Sequence, residues 1–363
     1  MTNPFIDAVP KPVTQTGVFS EIETRLANRN SGILLETLAL DITPAGAHYL
    51  LTHFDVPLLD KSNHQLKFEG AFAAPMTLNM EDIRARPAVT RPVTLECAGN
   101  GRAGFDPRHF SMPWAYEAVG TSEWTGTPLA PLIAEAQPLA DAVEISFAGA
   151  DFGYDGGVGH YFGRALTLEQ LEELDVMLVH GMNGAPLLPQ HGAPLRLIVP
   201  GWFGMASVKW LARIEALTTP YDGYQQINTY RYRQTPEDPG IGVTALRVKS
   251  LMVPPGAPDW LSRQRIVQAG PVPVQGKAWA GKVPIARVEF GVDGTWQEAD
   301  LGQPVGDYAW TPWQVSWAAS PGWHELRCRA TDAAGNVQPL EPPWDQNGFG
   351  NNAAQRLRVF VAD

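Results

Sequence analysis

The stretch Val93-Thr94-Leu95-Glu96-Cys97-Ala98-Gly99-Asn100-Gly101-Arg102 decides how the rest of the chain is read. It opens as a strand, with Val93 and Leu95 as alternating apolar residues that favour β structure. It then breaks into Gly99, Asn100 and Gly101, residues that tolerate positive φ. A thiol is thereby placed where a strand ends and a loop begins, with the Arg102 guanidinium five residues on. Thiolates are soft metal ligands and nucleophiles, and a neighbouring cation lowers a thiol pKa. A cysteine that only fills space fits the same spot, since free cysteine packs as a small hydrophobe.

Composition narrows the choices. At 363 residues the chain is long enough for two or three domains, each with its own core. A net charge of −11 makes nucleic acid and anionic membranes poor partners, while leaving room for a local cationic pocket. Two cysteines, Cys97 and Cys328, are too few for a disulfide framework, a four-cysteine zinc site or an iron–sulfur cluster. A Cys-x-x-Cys-His attachment is missing too, so no haem is expected. No apolar run approaches the roughly 20 residues of a membrane-spanning helix. Met1 to Pro12 shows neither a basic-then-apolar signal nor twin arginines. The expected location is the cytoplasm, or the periplasm if a leader has been removed.

Taken in order, residues 1–32 are polar and irregular and are expected to form an N-terminal arm over the surface. Residues 33–240 mix short strands and helices. Leu66–Gly70, Val143–Phe147, Val176–His180 and Leu195–Val199 read as strands. Met80–Arg86 reads as a helix that stops before Pro87. Thr127 and Pro128 look like an N-cap with proline at the first helical position, and Thr167 caps a second helix over Leu168–Leu174. There is no regular βαβ rhythm and no Gly-x-Gly-x-x-Gly after a strand, so the class is α+β and a Rossmann cofactor is not expected. Gln234–Gly242, with two prolines and two glycines, marks the domain boundary. Residues 241–363 alternate as strands do: Val288, Phe290 and Val292 run up to the hairpin signal Asp293-Gly294. Trp313, Val315 and Trp317 alternate likewise, as do Leu326, Cys328 and Ala330. A β-sandwich follows, with Cys328 in its core.

A second stretch carries chemistry. His191-Gly192-Ala193-Pro194-Leu195-Arg196 is followed by Pro200 to Leu211, which contains Ser207 and Lys209. One strand is thus flanked by His191 and Arg196 on one side and Ser207 and Lys209 on the other. Two or three cations, a hydroxyl and glycine amides suit a dianion. Each of them alone would be at home on a solvated surface.

Together these stretches resemble the sulfite oxidase family, over roughly residues 33–360. The resemblance implies a molybdopterin-binding catalytic domain followed by an immunoglobulin-like dimerisation domain, hence a homodimer. It implies that Cys97 ligates the molybdenum of a single-pterin cofactor. His191, Arg196, Ser207 and Lys209 would hold the pterin and its phosphate, with His53 and Asp151 as further cofactor contacts. Arg102 matches the active-site arginine, Trp114 a pocket tryptophan, and Tyr230 the tyrosine that faces the metal, although Tyr232 stands close by. No cytochrome-like haem domain is expected.

The implied reaction is oxygen-atom transfer: oxidation of sulfite or a related sulfur anion, with electrons leaving to an external acceptor. A reductase of an S-oxide, N-oxide or nitrate with the same cofactor is the alternative. A third reading is a non-catalytic protein built around its immunoglobulin-like domain. Three departures bear on substrate and cofactor. Ala206 stands where vertebrate members have arginine. Leu51 and a position at or near Asn347 stand where further anion-binding arginines are expected. Arg231 or Arg233 could replace the lost charge.

Overall fold

The computed structural model describes residues 19–260 and 262–363. In Gln65–Gly70, Leu66 and Phe68 turn inward and Lys67 outward. This strand lies within a five-stranded sheet ordered Met76–Asn79, Gln65–Gly70, Leu211–Leu217, Glu144–Asp155, Val158–Thr167. A second sheet runs Val89–Glu96, Val119–Pro128, Met177–Met182, Ala185–Pro186, with Arg196–Ile198 also paired to Met177–Met182. Phe68, Phe147 and Ile214 of the first sheet share one core with Leu95, Trp124, Leu178 and Leu197 of the second. Met177–Met182 and Arg196–Ile198 are buried almost throughout, because protein covers both of their faces. The loops that leave these buried strands are therefore held at their roots.

The C-terminal part is a sandwich of two sheets. One is four-stranded (Lys249–Met252, Gly270–Trp279, Thr311–Ala319, Asp300–Leu301). The other is six-stranded and includes Ile285–Val292, Gly322–Asp332 and Gln355–Ala362. Val274, Trp313 and Trp317 of the first meet Phe290, Leu326, Cys328 and Val361 of the second in a separate core. The hairpin at Asp293-Gly294 takes positive φ at both residues, 48° and 87°, the two-residue turn that matches strand twist. An α+β region followed by a β-sandwich is the class the sequence implies. Among the described residues, no helix is long and apolar enough to cross a membrane.

Several local expectations need correction. Residues 1–18 lie outside the described residues. The rest of the supposed irregular arm contains a helix, Glu21–Arg29, closed by a capping box between Ser20 and Glu23. Its Glu23 is buried against Arg108, and the Asn30 carboxamide oxygen accepts from the Thr52 N–H at 2.7 Å. This segment is therefore built into the wall of the first domain. Thr127 and Pro128 do not start a helix. They finish a strand, paired to Leu178 and Met177, and the helix Ala130–Ala136 begins after Leu129. The strand expected to stop at Phe147 continues to Asp155 through a register shift between Ala148 and Phe152. Asp151 sits within that irregularity. Tyr230 closes a π-helical turn, Gln225–Thr229.

Candidate functional site

Glu96 is the last paired residue of its strand, opposite Val119. The Cys97 N–H donates to the Ala118 carbonyl at 2.9 Å, and the Cys97 carbonyl accepts from Asn100 N–H at 2.9 Å, which turns the chain. The Gly99 N–H points at the Cys97 sulfur, 3.4 Å away. A Cβ on Gly99 would lie 2.5 Å from Arg102 Nη1, so glycine lets the guanidinium lie flat on the loop. Gly101, at φ 94°, makes the left-handed step that a side chain resists. Burial pushes the Cys97 thiol pKa up, while Arg102 and the Gly99 N–H pull it down. A metal, or any cation brought to the sulfur, would add to the second group of effects.

Cys97 forms part of the wall shared by two cavities. The first is a cleft of about 660 Å³, part of it open to solvent. It is lined by His53, Cys97, Asp151, His191, Arg196, Ser207, Lys209 and Tyr230, among others. Arg196 donates from Nη1 to the His191 carbonyl (3.0 Å) and from Nη2 to the Ser207 carbonyl (3.1 Å). Its guanidinium stacks over Trp124 at 4.8 Å. Lys209 Nζ donates to the carbonyls of Leu51 (2.9 Å) and Gln190 (3.1 Å). The Ser207 hydroxyl accepts from the Val199 N–H at 3.0 Å.

Burial, then repulsion from Arg196, brings Lys209 down to about 7. Burial lowers Arg196 to about 10, and burial with Arg196 nearby lowers His191 to about 4. Asp151, the one carboxylate in this lining, is raised by burial to about 6. Its Oδ1 and the Nε2 of His48, both buried, make no hydrogen bond of ordinary geometry. Cations short of counter-charge and polar atoms short of partners fit a bound, phosphate-bearing organic group.

The second cavity, a chamber of about 780 Å³, is lined by Cys97, Arg102, Trp114, Tyr230 and Phe349, with Leu51, Met112 and Arg29. Arg102 donates from Nε to the Asn347 carbonyl and from Nη1 to the Met112 carbonyl, both at 3.1 Å. Its guanidinium lies 5.2 Å from the centre of the Phe349 ring. The Trp114 N–H is buried without an acceptor of ordinary geometry, yet lies near enough to the thiol to favour its thiolate. His53 Nε2 and the Tyr230 hydroxyl meet at 2.5 Å. Burial, then Lys209 nearby, lowers His53 to about 3, and burial raises the Tyr230 phenol, so both are neutral.

The loop that carries the thiol is held from the other domain. The Lys249 ammonium donates to the Glu96 carboxylate and to the Asn351 carbonyl, both at 2.8 Å. The Trp279 N–H takes the other Glu96 oxygen at 2.9 Å. Asn100 donates to Glu96 at 3.0 Å, and Asn351 donates to the Gly101 carbonyl at 2.7 Å. Lys249 and Glu96 are 1 % and 2 % exposed, so this is a fully desolvated pair, made tolerable by its extra hydrogen bonds.

All ten site residues named from sequence thus line one cavity or the other, and His53, Cys97 and Tyr230 line both. Neither Arg231 nor Arg233 lines the chamber. Arg231 spends Nε and Nη2 on the carbonyls of Pro239 and Gly240, and Arg233 reaches toward the Ile227 carbonyl. Sequence reasoning missed His48 and Tyr49 in the cleft, and Arg29 and Phe349 in the chamber. For His48 a signal existed, five residues before His53 in the same segment. For Arg29 there was none without the helix that carries it.

Residues 53–225 match the model of the oxidoreductase molybdopterin binding domain, and residues 242–362 that of the Mo-co oxidoreductase dimerisation domain. The mitochondrial sulfite oxidase of Macaca fascicularis is 31% identical over 346 residues, covering 88% of this chain and 62% of that protein. Nitrate reductase [NADH] 1 of Oryza sativa subsp. japonica is 31% identical over 351 residues, covering 88% of this chain and 38% of that protein. The chain therefore spans about three-fifths of the length of such sulfite oxidases, 62%. In three dimensions it is similar to the sulfane dehydrogenase SoxCD from Paracoccus pantotrophus, with a TM-score of 0.78 and 24% identity over 98% of this chain and 95% of that one.

Proposed function

The chain belongs to the sulfite oxidase family of molybdopterin oxidoreductases, and on that premise we propose that it is an enzyme of oxygen-atom transfer. In this reading it oxidises sulfite or a related sulfur oxyanion and passes the electrons to an external acceptor. One observation carries it: the Cys97 thiol faces both a cleft of buried cations and a chamber holding Arg102.

The cofactor, when bound, supplies a two-electron metal centre with transferable oxygen. The rest belongs to the chain. Cys97 would be the protein's ligand to the metal and the pterin would furnish others, as the family resemblance implies, and among the described residues no group of three or more His, Cys, Asp and Glu offers another metal site. Arg196, Lys209 and His191 would hold the phosphate, with the Ser207 segment closing around it. Arg102 keeps a fixed positive charge beside the thiol, where an oxyanion would be oriented. The neutral His53–Tyr230 pair keeps a proton on the phenol oxygen at the junction of the two cavities. Trp114, Phe349 and Leu51 exclude water, which strengthens each of these charge contacts.

The test is metal and pterin analysis of the purified protein, with sulfite-dependent reduction of ferricyanide. Molybdenum and pterin equimolar with the chain, and turnover lost on Cys97→Ser, are the expected results. A folded, metal-free protein inert to sulfite would sink the proposal. The nitrate reductase relatives match as much of this chain as the sulfite oxidases do, which favours a second reading in the reductive direction. Reduced viologen with nitrate or a sulfoxide measures that direction. The match of residues 242–362 further supports a homodimer, which sedimentation of the full chain tests.

A further inference from the structure

We propose that the chamber beside Cys97 selects a singly charged sulfur oxyanion bearing an apolar substituent, an organosulfinate R–SO₂⁻, over the dianion sulfite. This deepens the oxygen-transfer reading above and rests on it. Among the described lining residues the formal charges are Arg102, Arg29 and Asp155, two cations and one carboxylate, a net of +1. His53 adds none, since it is neutral. A dianion entering here would keep one charge uncompensated beside the buried Arg102, and an uncompensated buried charge is costly. A monoanion matches the count.

Donors tell the same story. Arg102 has spent Nε and one N–H of Nη1 on the carbonyls of Asn347 and Met112, which leaves the other Nη1 N–H and Nη2. The Nη2 group and the second Nη1 N–H form an adjacent set of donors that suits the two oxygens of a sulfinate. The apolar walls Leu51, Met112 and Phe349 are where an organic substituent would be buried. Chemically the step balances as R–SO₂⁻ + H₂O → R–SO₃⁻ + 2 H⁺ + 2 e⁻. The sulfur lone pair becomes a new S–O bond, water supplies the oxygen, and two equivalents of a one-electron iron acceptor take the electrons.

The experiment uses the molybdenum-loaded full chain with ferricyanide, and compares benzenesulfinate, methanesulfinate and sulfite. At least one sulfinate is expected to show a KM about tenfold or more below that of sulfite. Asp155→Asn should lower the KM for sulfite more than that for the sulfinate, because it removes a repulsion that the dianion feels twice. Benzenesulfonate should compete better than sulfate against either substrate. A sulfite KM below both sulfinates in the unmodified enzyme overturns the inference while leaving oxygen transfer intact. Failure of every sulfur oxyanion to reduce ferricyanide, with nitrate or a sulfoxide oxidising reduced viologen, overturns the underlying reading and this one with it.

Discussion

On one side of Cys97 the chain buries Arg196 and Lys209 with Asp151 as the one carboxylate in the lining. On the other it sets Arg102 among Leu51, Met112, Trp114 and Phe349, with Arg29 and Asp155 adding opposite charges. In the function proposed above, the contrast follows from what each side would have to do. A resident cofactor arrives once, so its phosphate can repay strongly desolvated cations that lose part of their charge when the cleft is empty. A substrate comes and goes at every turnover, and a chamber that bound it equally tightly before and during reaction would gain little rate. Permanent binding is therefore concentrated on the first side, and the second is left spare.

The sharpest way to break this contrast is at the shared wall. Cys97→Ser should cost more than the roughly 100-fold that loss of an outer-shell partner costs a metal site, with folding preserved by circular dichroism. Near-normal turnover would mean that the thiol is not the divide between the two sides. Next comes the clamp. Lys249→Met leaves Glu96 buried and unpaired, with an expected loss of about 3–5 kcal/mol in denaturant unfolding. Adding Glu96→Gln should recover a large part of it, and a purely additive double variant would show that the pair is not coupled.

A smaller effect sharpens the chamber side. Leu51→Arg with Asn347→Arg should lower the KM for sulfite by about tenfold or more, at roughly 1.5–3 kcal/mol for each charged hydrogen bond, with kcat changed less. A sulfite KM already in the micromolar range before substitution would contradict the low charge assigned to that side.

The smallest effect sharpens the cleft side. In the cofactor-free protein Lys209 has a folded pKa near 7 against an ordinary 10.5. Below about 7 the folded state carries the full cost of a buried ammonium. As pH rises from about 7 toward 10.5 the folded state holds fewer protons than the unfolded one, and stability climbs. An anion in the cleft offsets that cost only while Lys209 is charged. Sulfate, dianionic throughout, should thus raise the melting temperature of cofactor-free protein by roughly 2 °C more at pH 6 than at pH 9. Lys209→Met should erase the difference.

How legible this was in the sequence depended on distance along the chain. Cys97 and Arg102 share one loop, and His191, Arg196, Ser207 and Lys209 flank one short strand, so local pattern grouped them. The β-sandwich was legible for the same reason: alternation and an Asp-Gly turn are local signals. The helix Glu21–Arg29 was missed although Ser20 and Glu23 spell a capping box, because few apolar residues follow to give it a face. Arg29 was lost with it. The strand over Val143–Phe147 reads as ending before Gly149, whereas it absorbs the extra residues and runs on past Asp151. Lys249 reads as an ordinary surface lysine, since the carboxylate that buries it lies 153 residues earlier.

That separation limits recombination. A cut near residue 240 looks like a seam between modules, yet the ligand loop is fastened by Lys249, Trp279 and Asn351, all beyond it. A chimera that joined this first domain to a relative's sandwich would inherit the thiol without the fastenings that aim it. Such an exchange stays silent only if the incoming half carries a lysine, an indole and a carboxamide at the same three places. The second domain is in this sense part of the thiol's address, and a change in its first strand would be felt at Cys97.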